Sequence, residues 1–178
     1  MTTLNIRVAV EEDVEELYYI MHQAFTPLRE LGINWPSVNA DRSMIRDNLC
    51  NTTMFVLEDE EKILSTISVR YPWEARKSVA TYPFVWWFAT RPECEGKGYG
   101  SYLLKYVEET FLRDTLKVPA VTLGTSGRLH PWLLNIYKRR GYKVYKERET
   151  KEGDLGILMY KTLIPEQFDE NNLQRPTS

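Results

Sequence analysis

Tyr82-Pro83-Phe84-Val85-Trp86-Trp87-Phe88-Ala89-Thr90 runs directly into Arg91-Pro92-Glu93-Cys94-Glu95-Gly96-Lys97-Gly98-Tyr99-Gly100-Ser101. The first segment is almost wholly apolar and aromatic, as expected of a short strand covered on both faces. The second is a turn with glycine at 96, 98 and 100. It opens onto a helix whose inner face is read as Leu103, Leu104, Val107 and Phe111. Glycine lets a backbone approach a ligand without Cβ interference. A helix N-terminus presents unpaired N–H groups and partial positive charge. Together these features make an anion site suited to phosphate. The competing structural reading is a tight strand-to-helix turn that needs glycine for positive φ.

Working outward, Leu4 to Val10 reads as a first strand. Val14, Leu17, Tyr18, Met21 and Phe25 then mark one face of a helix that Pro27 ends. Thr26 to Ala40 is an irregular, unusually apolar stretch, placed to act as a lid. Asp41 is the N-cap of a helix reaching about Cys50. Thr52 to Glu58 and Ile63 to Tyr71 are strands joined by the acidic turn Asp59 to Lys62. Downstream of the glycine turn and its helix come a strand, Pro119 to Thr125, and a helix, Pro131 to Arg140, with Gly141 just past its end. Strands Tyr142 to Glu147 and Leu155 to Leu163 close the set around Lys151 to Asp154. The order β-α-α-β-β-β-α-β-α-β-β predicts a single α/β domain: a mixed central sheet of about seven strands with helices on both faces. Residues 1–164 form that domain and 165–178 a polar tail, expected to fray from Glu166.

Composition narrows the function. The chain has 178 residues, 43% hydrophobic and 27% charged, with a net charge of −2. That is ordinary globular usage, and a chain of this size needs no metal or disulfide staple. A globally basic nucleic-acid binder is excluded as the default. Cys50, Cys94, His22 and His130 show no metal-ligand spacing. The acidic run at Glu11 to Glu16 does not fit a signal peptide, and Ser78 to Thr90 is too short to cross a membrane. Cytoplasm is the default compartment.

The phosphate motif can be sorted further. No Gly-Lys-Ser/Thr follows the glycines, so a P-loop is absent. A dinucleotide fingerprint fails because the third glycine comes one residue early and no acidic residue stands near Lys117 to Val121. Phe88 to Ser101 instead resembles the acyl-CoA signature of the GCN5-related N-acetyltransferases (GNAT), Arg/Gln-x-x-Gly-x-Gly/Ala before a helix with a Leu-Leu pair, here Leu103-Leu104. Ile136-Tyr137-Lys138-Arg139-Arg140-Gly141-Tyr142 resembles a second family motif, Leu-Tyr-x-x-x-Gly-Phe. The two motifs, correctly separated, extend the resemblance over Leu4 to Leu163.

The resemblance implies transfer of an acetyl group from acetyl-CoA to a primary amine of a small molecule, peptide or protein. It implies a cleft where two strands splay, with no metal, no nucleic-acid or membrane partner, and room for a homodimer. Phe88, Ala89 and Thr90 would hold the pantetheine, with Val121 to Gly124 as the other lip. Glu95, Gly96, Lys97, Gly98, Tyr99, Gly100 and Ser101 would hold the pyrophosphate. Glu95 stands where the family has Arg or Gln, so its carboxylate weakens binding unless it points to solvent. Lys97 or Lys105 is the cation placed to offset it. His130 stands where the family often has Asn.

Tyr137 is the implied general acid, since a tyrosine of pKa about 10 stays protonated at neutral pH beside a thiolate of about 8.5. His130 and a water chain are the options for the base. Phe25, Trp35, Tyr71, Trp73, Trp86 and Trp87 are expected around the acceptor cleft. As strand neighbours, Trp86 and Trp87 should point to opposite faces. Lys138, Arg139, Arg140, Lys143, Lys146 and Arg148, interspersed with Glu147 and Glu149, read as a solvated face. A cofactor-phosphate contact from Lys138 or Arg139 is the alternative. The rival functions are a weak or inactive acyl-CoA-binding domain and a nucleotide-phosphate module.

Overall fold

The computed structural model describes residues 2–73 and 81–173. Strands β1 (Asn5–Val8), β2 (Thr53–Glu58), β3 (Ile63–Arg70), β4 (Phe84–Thr90), β5 (Ala120–Ser126), β6 (Lys143–Glu149) and β7 (Leu155–Thr162) form one seven-stranded sheet. Its order is β1-β2-β3-β4-β5-β7-β6. Every neighbouring pair is antiparallel except β4 and β5. Helices α1 (Val14–Ala24), α2 (Thr26–Glu30) and α3 (Arg42–Asn51) lie on one face. On the other lie α4 (Tyr99–Lys105), which continues as a π-helical stretch through Tyr106–Thr115, and α5 (Pro131–Arg139). Alternation along β2 divides the core as period-two geometry requires: Met54 and Val56 join the first face, Phe55 and Leu57 the second.

Local chemistry explains most boundaries. Asp41 caps α3 by accepting the Met44 N–H at 2.8 Å. Pro27 does not simply end α1. It sits in the first turn of α2, where its missing N–H costs nothing, so part of the expected loop Thr26 to Ala40 is helical. The wider π turns bring Leu112 into the core, fully buried, beside the expected Phe111, whose ring packs on Phe55 at 4.8 Å. They also turn Glu108 inward, where its carboxylate accepts from the Tyr142 hydroxyl at 2.5 Å and the Lys161 ammonium at 3.0 Å.

Three features position the site. First, β4 carries one extra residue relative to β3: Thr66 faces Ala89 while Ser68 faces Trp86. The bulge forces Trp87 to φ 51° and bends β4. It also overturns the expectation that Trp86 and Trp87 oppose each other. Both rings pack into the first-face cluster, with centroids 5.9 Å apart. Second, Arg91 fixes the start of the glycine turn. Its Nε donates to the Ile63 carbonyl at 2.7 Å and its guanidinium pairs with Glu16 of α1.

Third, Asp154 ties the β6–β7 turn to the β5–α5 turn. Its Oδ1 accepts from the Ser126 hydroxyl (2.8 Å) and the N–H groups of Arg128 (3.1 Å), Leu129 (3.0 Å) and Leu155 (2.8 Å). The Ser126 hydroxyl in turn accepts the His130 N–H at 2.9 Å.

The tail expected to fray is ordered through Leu173. Leu173 is 2% exposed and clusters with Tyr82 and Ala120, and Phe168 stacks on Tyr160 at 5.3 Å. Helical spacing and strand alternation carry no signal for such a docked coil. A Leu173→Ala variant should lose about 2 kcal/mol, the low end for a buried leucine, and so melt about 4–8 °C lower. An unchanged Tm would return the tail to solvent.

The Asp154 knot carries a pH signature. Burial acts to raise its pKa, but the donors from Leu129, Ser126, Leu155 and Arg128 outweigh that and hold it below the ordinary aspartate value. The folded form therefore gains stability that is complete above about pH 4 and lost as pH falls through the depressed pKa. The Tm gap between the parent and Asp154→Asn should be widest above pH ~4 and close below it. A gap independent of pH would show that the carboxylate's charge plays no part.

Candidate active site at the parting of two strands

A parallel pair in the middle of a sheet is normally laddered along its length. Here β4 and β5 share one registered pair among the described residues, Phe84 with Thr122. The Thr122 N–H and hydroxyl both donate to the Pro83 carbonyl at 2.9 Å and lock the closed end. Beyond that point the strands part, and backbone polar groups of both face a gap. Such groups need partners, so the gap is built for a ligand.

One cavity, of about 760 Å³, runs from this gap to the start of α4. It is lined by Phe88, Ala89 and Thr90 of β4, by Glu95, Gly96, Gly98, Tyr99, Gly100 and Ser101, and by Tyr137 of α5. Lys97 lies on the turn, but it and Lys105 do not line the cavity. Gly96 and Gly98 have φ of 75° and 83°, with nothing within 4 Å of where a Cβ would stand. Gly100 is different: a Cβ there would meet Thr90 Oγ1 at 2.9 Å, so this glycine serves helix–strand packing. Tyr99, Gly100 and Ser101 open the helix, and their N–H groups have no carbonyl one turn earlier. Glu95 is exposed. The cation at the mouth is Arg140, whose guanidinium donates to the Ser101 hydroxyl. Lys138 and Arg139 are exposed and line neither cavity. The sequence contained the signal for Arg140: Leu133, Ile136, Tyr137 and Arg140 are spaced i, i+3, i+4, i+7, one stripe of α5, and all four line the cavity.

A second cavity, of about 610 Å³, opens on the other side of the gap. Phe25, Ile33, Trp35, Phe84, Trp86 and Trp87 supply its apolar wall. Tyr71 and Trp73, also expected there, stack on each other at 4.9 Å and line neither cavity. The polar wall comes from β6 and the turn after it, including Lys146, Arg148 and Asp154. The two cavities share Phe25, Trp35, Phe88, Gly124, Thr125 and Tyr137.

Burial pushes the Tyr137 hydroxyl up to about 12, so it keeps its proton throughout the physiological range. Burial acts the other way on His130, holding its imidazole below the usual histidine value and therefore neutral at pH 7. His130 lines the first cavity, not the second. The buried His130 Nδ1, Thr125 Oγ1, Trp86 Nε1 and Trp87 Nε1 have no hydrogen-bond partner among the described residues, and all four belong to cavity-lining residues. Unsatisfied groups are rare in native interiors, and their concentration here marks a binding site. Among the described residues, no cluster of three or more His, Cys, Asp or Glu could hold a metal ion, and no helix is long and apolar enough to cross a membrane.

Comparison with known proteins agrees with this geometry. Residues 14–142 match the Acetyltransferase (GNAT) family. The chain is 53% identical over 171 residues to an S-alkylcysteine N-acetyltransferase of Bacillus subtilis (strain 168), covering 96% of each chain. It is 40% identical over 157 residues to the S-(2-succino)cysteine N-acetyltransferase of the same strain, covering 88% of this chain and 94% of that one. The crystal structure of the ribosomal-protein-S18-alanine N-acetyltransferase from Escherichia coli shares the fold at 16% identity, with a TM-score of 0.70 over 95% of this chain and 98% of that one. The chain is an N-acetyltransferase and belongs to the acetyltransferase (GNAT) family.

Proposed function

We propose that this enzyme moves the acetyl group of acetyl-CoA to the primary amine of a small S-substituted cysteine. The observation that carries the reading is that the two cavities meet at Tyr137. The larger one fits the donor. Its glycine turn is open, the first N–H groups of α4 are unpaired, and Arg140 adds a cation suited to phosphate. The parted edges of β4 and β5 offer amide partners to a pantetheine chain. The aromatic cavity fits an apolar S-substituent, and both curated relatives are named for S-substituted cysteines.

In the reaction the acceptor nitrogen bonds to the acetyl carbon, the C–S bond breaks, and the amine proton leaves to water. Tyr137 meets the departing sulfur as a hydrogen-bond donor. Burial pushes its pKa up to about 12, so the hydroxyl holds its proton tightly. Its part is therefore to stabilise developing negative charge while retaining the proton. The carboxylates facing the acceptor side include Asp154, already loaded with donors, and Glu149, paired with Arg128 at 2.9 Å. Water is the base in this reading, with the exposed Glu152 bordering the same cavity and His130 on the donor side.

Thiol release with acetyl-CoA and S-benzyl-L-cysteine tests the reading directly: turnover is expected, and no reaction across a panel of S-substituted cysteines would overturn it. Tyr137→Phe should lower kcat about 100-fold or more while hardly moving acetyl-CoA affinity. A Phe variant within about threefold of the parent would remove the hydroxyl from the chemistry. The same high pKa predicts no alkaline limb from Tyr137 below about pH 10.

Gly98→Val puts a β-branched residue at φ 83° and fills space left open for the donor. Calorimetry should show acetyl-CoA binding weakened about tenfold or more, a loss of about 1.4 kcal/mol. Glu95→Arg should bind acetyl-CoA at least as tightly as the parent, because the exposed carboxylate contributes only repulsion. Marked loss in that variant would give Glu95 a positive role.

A further inference from the structure

Lys146 and Arg148 belong to a run of charges that reads as a solvated face; both are exposed, and both also line the acceptor cavity. They sit two residues apart on β6, so their side chains share one face of the sheet. The register continues that face inward. Lys146 pairs with Leu158, which pairs with Gly124; Arg148 pairs with Gly156, which pairs with Ser126. Leu158, Gly156 and Gly124 all line the cavity. The row that starts at the parted strands thus ends on two cations. Gly156 lets β6 pack closely here, since a Cβ would stand 3.3 Å from the Arg148 carbonyl oxygen and 3.6 Å from Thr150 Cγ2.

The local charges decide what these cations face. Lys146, Arg148 and Lys151 line the cavity together with Glu149, Glu152 and Asp154, a formal balance of zero. Two of the three acids are already engaged. Glu149 receives both terminal nitrogens of Arg128, each at 2.9 Å. Asp154 Oδ1 receives four donors from the chain. Glu152 is an exposed turn residue. Neither Lys146 nor Arg148 has an ion-pair partner among the described residues. With Arg128 counted beside Glu149, four cations (Lys146, Arg148, Lys151, Arg128) stand against three acids, so the polar end carries a surplus of positive charge.

We propose that Lys146 and Arg148 grip a carboxylate of the acceptor and so select amino-acid substrates over simple amines. This rests on the acetyl-transfer reading above and adds the recognition element to it. Two strand spacings, about 10 Å, separate Gly124 at the gap from the β6 backbone, and a Lys or Arg side chain spans most of that distance. An amine held at the gap thus places a carboxylate of the same small molecule within reach of the cationic pair. Arginine matches a carboxylate with two parallel N–H bonds, and lysine adds a point charge. Either the α-carboxylate or a carboxylate on the S-substituent has this chemistry.

Three acceptors separate the sources: S-benzyl-L-cysteine carries the α-carboxylate, S-(carboxymethyl)cysteamine carries one on the S-substituent, and S-benzylcysteamine carries none. Steady-state kcat/KM is measured for the parent, the Lys146→Met/Arg148→Met double variant, and Lys143→Met as a surface-charge control. Calorimetric acetyl-CoA binding confirms that each variant is folded. The parent should prefer at least one carboxylate-bearing acceptor over S-benzylcysteamine by about tenfold or more, mainly through KM. The double variant should collapse that preference to within about threefold, and Lys143→Met should keep it. The preferred acceptor shows which carboxylate is held. A parent that acetylates all three equally, or a double variant that keeps the preference, overturns the clamp and leaves the acetyltransferase reading standing. Acetylation of none of them, nor of other S-substituted cysteines, overturns both.

Discussion

The closing contact between Thr122 and the Pro83 carbonyl decides where this molecule has a site. It is the last point at which two parallel central strands behave as a ladder. Three residues beyond Phe84, the Trp87 bulge bends β4 away, and two strand edges are left facing each other across a gap. Buried backbone groups without partners are costly, so a sheet opened at its centre is stable only if the opening is filled by water or ligand. The cost is confined because both strands stay paired on their outer edges, β5 to β7 throughout and β4 to β3 on either side of the bulge. A cleft between the two strands results.

The rest of the structure serves that cleft from two sides. The glycine turn, anchored by Arg91, aims the start of α4 at one mouth. The Asp154–Ser126 knot holds the turn leading into α5, and with it Tyr137, against the floor of the other. Electrostatics are divided in the same way. Burial keeps Tyr137 protonated and His130 neutral, so neither mouth gains a charge from them at pH 7. Cations border both cavities, Arg140 the first and Lys146 with Arg148 the second. The reacting centre between them is lined mainly by apolar and aromatic groups, and charge developing there is stabilised more strongly than in water.

Much of this was legible in the residues. Strand alternation, the Asp41 cap and the glycine turn are local signals, and each element they implied is present within a few residues. The carriers of the site's finer geometry were not local. Trp86 and Trp87 share a face because β3 and β4 are out of step, and pairing register is invisible within one strand. Tyr71 and Trp73 have the composition of a pocket wall but stack on each other instead. Lys146 and Arg148 are solvent-exposed, as a charged face should be, and only the register with β7 shows that they also border the second cavity. Leu173 is a single leucine in a polar tail, and only the exposed flank of Tyr82 and Ala120 gives it a place to dock. Arg140 alone could have been read earlier, from the α5 stripe it completes.

The central claim is that the parted strand edge and the glycine turn together receive the donor. Hydrogen exchange, followed by mass spectrometry with and without acetyl-CoA, addresses those backbone amides themselves. The account predicts slowed exchange in Phe88–Thr90 and Gly96–Ser101 on binding, with β1 and β2 unaffected. Protection confined to other segments, with none in these two, would contradict it.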